Sequence, residues 1–167
     1  MTDLFARLFG IVMLRFGPQD LPAGSSPLIL ALLLYLLVTA VAMSLGQPPE
    51  QPVLVLALAM ILPLLLARMV LALRRVPQRW PQTVTALFGT SAILTAISLP
   101  LAVTGGGESE PPLFTAMASL AVFVWSFAVN AHIWRHALDA SYAAGLAVAV
   151  VLFAITLFII TSLAGPL

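Results

Sequence analysis

The sequence predicts an all-α polytopic membrane protein, a bundle of five transmembrane helices preceded by a short interfacial amphipathic helix. Three observations predict it. Residues of the apolar set AVILMFWYC fill 62% of the 167 positions and charged residues only 8%, against roughly 45–50% and about 25% in a soluble domain. Five apolar stretches, each long enough to cross the roughly 30 Å hydrocarbon core as a helix, follow one another. Six of the seven arginines fall outside these stretches and only in alternate connectors, the pattern of positive residues held on one side of a membrane.

The chain divides into residues 1–27, a helix and a loop, and residues 28–167, the spanning domain. In the first segment Leu4, Phe5, Leu8, Phe9, Val12, Met13 and Phe16 recur at helical spacing with Asp3, Arg7 and Gly10 opposite, which reads as a helix resting in the interface. It is no signal peptide, because Arg7 and Arg15 bracket too short an apolar run and Gly17, Pro18, Gln19 and Asp20 follow. Residues 17–27 hold three prolines, two glycines and two serines and read as a loop.

The spans are predicted at 28–45, 53–73, 82–103, 113–134 and 142–164. Pro- and Gly-rich connectors separate them, except at residues 135–141, where charge alone marks the turn. Arg7 and Arg15, then Arg74, Arg75 and Arg79, then Arg135 must share one side, while Glu50, Glu108 and Glu110 occupy the other. An odd span count with a cytoplasmic N-terminus and an exterior C-terminus satisfies this. It argues against the paired inverted repeats of many transporters. A basic set made only of arginine, with abundant alanine and leucine, points to a GC-rich bacterial genome, so the expected location is a bacterial cytoplasmic membrane.

With no cysteine, disulfides, thiolate nucleophiles and Cys-ligated metals are excluded. Scattered arginines and a net charge of +1 make no nucleic-acid surface. The expected partners are the lipid bilayer and other membrane proteins or a second copy, and no cofactor is expected.

Arg68, the one charge inside a span, either snorkels to the headgroups or pairs with Asp20, Asn130 or Asp139 in a buried polar cluster. The fourth span carries two adjacent stripes, Ser126, Asn130 and Trp134, and Trp125, Val129, His132 and His136. His132 and His136 are weak metal candidates, since zinc wants three or four ligands. The plainer expectation has Trp134 at the headgroups, His136 and Arg135 facing water, an Arg135–Asp139 pair, and Asn130 bonded to a neighbouring helix. Pro63 and Pro100 can kink their helices. The hydroxyls and Gly89 of the third span suit it to the bundle centre. Ser141, Gly145 and Ala149 repeat at i+4 as a small-residue stripe for close helix approach, within the chain or between chains.

The run from Trp80 to Ser91, the Leu99-Pro100 end of the third span and the Trp125-to-His136 passage of the fourth, in a five-span frame, resemble the Yip-domain family in its bacterial branch. The likeness covers roughly residues 28–164. In eukaryotes that family is implicated in membrane trafficking and in contact with Rab-type GTPases, partly through a longer soluble N-terminal region. This chain has only some 27 residues before its first span, so that contact is not carried over, and the family supplies no catalytic motif. The resemblance implies a non-enzymatic membrane scaffold or organiser. The alternative is a small transporter or channel with a polar path near Arg68, Asn130 and His132, and a metal enzyme built on the two histidines would need a further ligand.

Overall fold

Six α-helices form where the apolar patterning predicted them, in a computed structural model that describes residues 2–45, 49–105 and 112–165. They are α1 (Thr2–Val12), α2 (Ser25–Leu45), α3 (Pro52–Leu73), α4 (Trp80–Gly105), α5 (Leu113–Leu138) and α6 (Tyr142–Ala164), with single 3-10 turns at Pro18–Asp20 and Pro77–Arg79. Among the described residues there is no strand. The connector that carries Glu108 and Glu110 and the last two residues, expected on the exterior side, lie outside the described residues. Helices α2 to α6 are each long and apolar enough to cross a membrane.

Their outward faces carry leucine, valine and phenylalanine, among them Leu37, Leu65, Leu120 and Phe158, all exposed. Water would not tolerate such a surface, and lipid does. In its most apolar window α4 is 50% buried, while the other spans reach only 6–17%. It is therefore the central helix, as its hydroxyl-rich sequence suggested, and it packs against α1, α2, α3 and α5. Thr83, Thr85 and Thr90 are buried there, and each returns its hydroxyl to a carbonyl one turn back, on Arg79, Pro81 and Ala86. That pattern makes a threonine apolar on its outside and compatible with a membrane core.

Three helices stop at a residue in the left-handed region that is not glycine. Leu14 (φ 57), Arg75 (φ 60) and Asp139 (φ 48) follow α1, α3 and α5. In each case the next amide bonds back five residues: Arg15 to Gly10, Val76 to Leu71, and Ala140 to Arg135. This is the Schellman geometry, which satisfies the last carbonyls and reverses the chain. It explains why residues 135–141 turn without Gly or Pro: Asp139 takes the left-handed conformation, which an aspartate tolerates better than a β-branched residue would.

The short N-terminal helix is present, and the structure adds where it sits. Leu4, Leu8, Ile11 and Val12 are buried against the bundle, while Phe5, Phe9, Met13 and Phe16 stay exposed. The apolar face read from the sequence is thus two faces, one for α4 and α5 and one for lipid. Gly10 does not look outward with Asp3 and Arg7, because the Phe16 ring folds over it.

Candidate functional site

Helix α5 positions the polar groups, and its two stripes face two different environments. The stripe of Trp125, Val129, His132 and His136 receives the N-terminal segment. Trp125 Nε1 donates to the Val12 carbonyl at 3.1 Å. His132 Nε2 lies 3.0 Å from the Phe16 carbonyl; since a carbonyl only accepts, the proton sits on Nε2. Counted along α5 at 1.5 Å per residue, these contacts lie about 20 Å and about 9 Å from the Leu138 end. On α4, Leu8 fills the notch over Gly89, where an added Cβ would stand 2.6 Å from a Leu8 methyl, about 13 Å from Trp80 by the same rise.

These contacts describe a hairpin: the chain runs as α1 alongside the arginine-bearing halves of α4 and α5, reverses at Leu14, and returns in non-helical form to Pro18. Non-helical backbone at membrane depth is tolerated only where protein satisfies it. Here Trp125 and His132 supply the donors, and Gln82 Nε2 does the same for the Leu21 carbonyl at 2.9 Å. Asp20 closes the segment locally. Its carboxylate accepts from the Gly17 amide at 2.7 Å, and its carbonyl accepts from Arg7, which also pairs with Asp3.

The other stripe, Ser126, Asn130 and Trp134, lines a cavity of about 190 Å³ walled by α2 to α6. Tyr35, Ser91, Ala149 and Thr156 complete its polar and small lining, and Phe88, Phe127 and Phe153 its aromatic one. Asn130 is not bonded across helices as expected: its Nδ2 donates to Ser126 of its own helix at 2.8 Å. Trp134 does not reach the headgroups, being buried at 2% exposure on the cavity wall.

At the arginine-bearing end Asp139 pairs with Arg79 at 2.7 Å instead of with Arg135. The αL turn at Asp139 carries its carboxylate away from its own helix and toward the α3–α4 connector. Arg79 also donates to the His136 and Ala137 carbonyls at 3.3 and 3.0 Å, so it caps the end of α5. A second cavity of about 240 Å³, lined by Gln19, Arg79, Gln82, His136 and Asp139, opens here. His136 and Arg135 are half-buried rather than water-facing, and the His136 ring meets His132 edge-on with centroids 4.6 Å apart. The hydrogen bond from Arg79 and its charge hold the Asp139 carboxyl below the usual carboxylate range. A depressed folded value means that this pair stabilises above the ordinary Asp value near ~3.9 and is lost as pH falls through the folded value. Arg79→Leu is expected to remove the two capping bonds, at about 1 kcal/mol each. It should also flatten the acid limb of stability, as a thermal-unfolding series from pH 6 to pH 3 will read. An unchanged acid limb would show that the pair does not couple to folding.

The remaining predicted residues separate. Arg68 is exposed, its guanidinium 5.9 Å from the Trp80 ring centroid, while Trp80 Nε1 donates to Leu64 at 3.1 Å. The guanidinium thus has a cation–π partner at the start of α4, and Asp20, Asn130 and Asp139 are bonded elsewhere. Arg68 lies on the outer surface, Asn130 in the cavity wall and His132 against the turn after α1, so the structure does not bring the three together. Ser141 caps α6 by accepting from the Ala144 amide at 3.2 Å. Gly145 and Ala149 are buried at the α5 crossing, so the small-residue stripe is used within the chain. Among the described residues no group of three or more His, Asp or Glu side chains could hold a metal ion.

Sequence reading missed Arg79, Gln82, Tyr35 and Ser91 as site residues. The stripes on α5 were legible, but the hairpin that faces one of them has no period to detect. Fold and site together define a multi-pass membrane protein whose N-terminal helix and the turn after it pack against α4 and α5. No protein-family model, curated protein or solved structure matches the chain, and the Yip-like resemblance rests on the residues quoted for it.

Proposed function

We propose that the chain is a non-enzymatic membrane organiser of a bacterial cytoplasmic membrane, with its arginine-bearing end and N-terminus cytoplasmic. It acts on lipid and on neighbouring membrane proteins rather than on a chemical substrate. The observation that supports this reading is the packing of α1 and its returning limb beside the arginine-bearing halves of α4 and α5, which on this proposal lie in one half of the bilayer only. Five helices cross the far half; six helices and an extended strand of backbone occupy the arginine half. A helix with its side chains is about 10–12 Å across, so the cross-section is widened on one side. An exposed row of Phe5, Phe9, Met13 and Phe16 presses that excess against acyl chains. A body wider in one leaflet favours a membrane convex on that side, as amphipathic insertions do.

The orientation draws on Arg7, Arg15, Arg74, Arg75, Arg79 and Arg135 sharing that end. Contacts with other membrane proteins or a second copy belong to the same proposal. They fall to the outer faces of α2, α3 and α6, because Gly89 and Gly145 are already covered. A membrane organiser is also what the Yip-like resemblance implies.

The test is reconstitution into vesicles of graded diameter, using an Arg75→Cys variant read by an impermeant thiol reagent. We expect the protein to concentrate in the smallest vesicles with residue 75 outside, and in intact cells residue 75 to label only after lysis. Equal density at all diameters would end the curvature reading, and labelling of intact cells would reverse the orientation.

A further inference from the structure

The 190 Å³ cavity on the opposite face of α5 takes no part in the hairpin. It is a cleft between helices, partly open to the outside, and an apolar cavity of about 150 Å³ is large enough to hold a benzene ring. Its walls are unusually aromatic: Tyr35, Phe88, Phe127, Phe153 and Trp134 all line it. Tyr35 meets Phe88 edge-on at 4.9 Å and Phe127 meets Phe153 at 5.2 Å, geometry that accepts a further flat ring.

The cavity also offers hydrogen-bonding groups at a depth where lipid supplies none. Tyr35, Ser91 and Asn130 lie about 12–17 Å along their helices from the arginine end, out of reach of headgroups. The bond from Asn130 to Ser126 uses one amide N–H, leaving a second donor and the side-chain carbonyl. Pro63 has no N–H to give the Ala59 carbonyl one turn back, and both residues line the cavity. Among the described residues no charged side chain does so. Phe153 at the rim is 44% exposed, so the space opens laterally toward lipid.

We infer that this cavity binds the head ring of a neutral lipid-soluble quinone or quinol, its apolar tail leaving past Phe153 into the bilayer. A phospholipid is the wrong occupant, because its polar group is anchored at the interface and its tail would leave Asn130 and Ser91 facing hydrocarbon. A quinone places ring oxygens at mid-bilayer, where the Asn130 amide and Ser91 hydroxyl can donate, and the quinol form can donate to Ala59.

The full-length protein in detergent is titrated with a benzoquinone carrying a ten-carbon tail and, separately, with decane. The quinone is expected to raise the unfolding temperature in a concentration-dependent way, and decane is not. Asn130→Leu should weaken quinone binding about tenfold, the loss of one hydrogen bond near 1.4 kcal/mol. Ala59→Phe, which fills the cavity, should abolish the shift and keeps the test valid should Asn130→Leu fail to fold. Equal stabilisation by decane, no shift with the parent protein, or parent-like binding by Ala59→Phe would each overturn the assignment. None of those results bears on vesicle-size preference, which depends on the other face of α5.

Discussion

Gly145→Ala is expected to disrupt the α5–α6 pair more than any other single-methyl change in the protein. A Cβ at position 145 would stand 2.4 Å from the Ala131 carbonyl oxygen and 2.8 Å from the Arg135 amide nitrogen. Both are main-chain atoms of a regular helix, so no side chain can rotate aside, and the two axes must separate over the whole crossing. Overpacking of this kind costs about 1–3 kcal/mol. The upper end is expected here, because loss of close approach removes the van der Waals contact that holds membrane helices together. A bulkier Gly145→Leu should fail to give a monodisperse protein. The measurement is SDS-titrated unfolding in mixed micelles, and a parent-like midpoint for Gly145→Ala would show that the crossing is looser than described. Gly89 makes a useful contrast, since its Cβ would meet only the flexible end of Leu8; Gly89→Ala should therefore act on the hairpin and spare the bundle.

The second large effect is expected from the pair Trp125→Phe and His132→Leu made together. Each removes the donor to a carbonyl of the N-terminal segment, Val12 or Phe16. An orphaned buried carbonyl costs about 1–3 kcal/mol, and with two of them the hairpin has reason to leave its groove. The chain contains no cysteine, so Ile11→Cys provides a single reporter at a position with 0% exposure. In the otherwise native protein this thiol should resist a lipid-soluble maleimide. With both donors gone its labelling should rise at least tenfold, the ratio that corresponds to about 1.4 kcal/mol. Unchanged protection would mean that the Leu4, Leu8 and Val12 packing alone holds α1. The bundle should stay folded in this variant, because α2 to α6 pack extensively against one another without α1. A vesicle-size preference that survives release of α1 would also sink the membrane-organising proposal.

Much of this was legible from the residues. The five spans were found to within a few residues at most ends, since an apolar run of spanning length has few other solutions. The largest boundary difference is at α5, which continues to Leu138 past the Trp134 limit. Trp134, Arg135 and His136 read as an interfacial group, whereas tertiary packing buries Trp134, half-buries the other two and keeps the helix intact to Leu138. The central place of α4 also showed in its threonines. What could not be read were partnerships among polar groups. Arg135 and Asp139 stand four apart and look like a pair, but Asp139 takes a left-handed conformation and meets Arg79 instead. Asn130 looked free for a neighbouring helix and serves its own.

By itself the sequence determined the solvent, the number of spanning helices and the gathering of six arginines in alternate connectors. Each of these follows from summed transfer free energies over twenty or so residues, an average insensitive to neighbours. Only the tertiary structure decided that the N-terminal helix packs against α4 and α5, that Gly89 and Gly145 serve contacts inside the chain, and that the two stripes of α5 face a hairpin and a cavity. Those outcomes turn on single close approaches and single hydrogen bonds between residues as far apart as Phe16 and His132. No local pattern encodes such a bond; it exists because packed helices bring its two ends together.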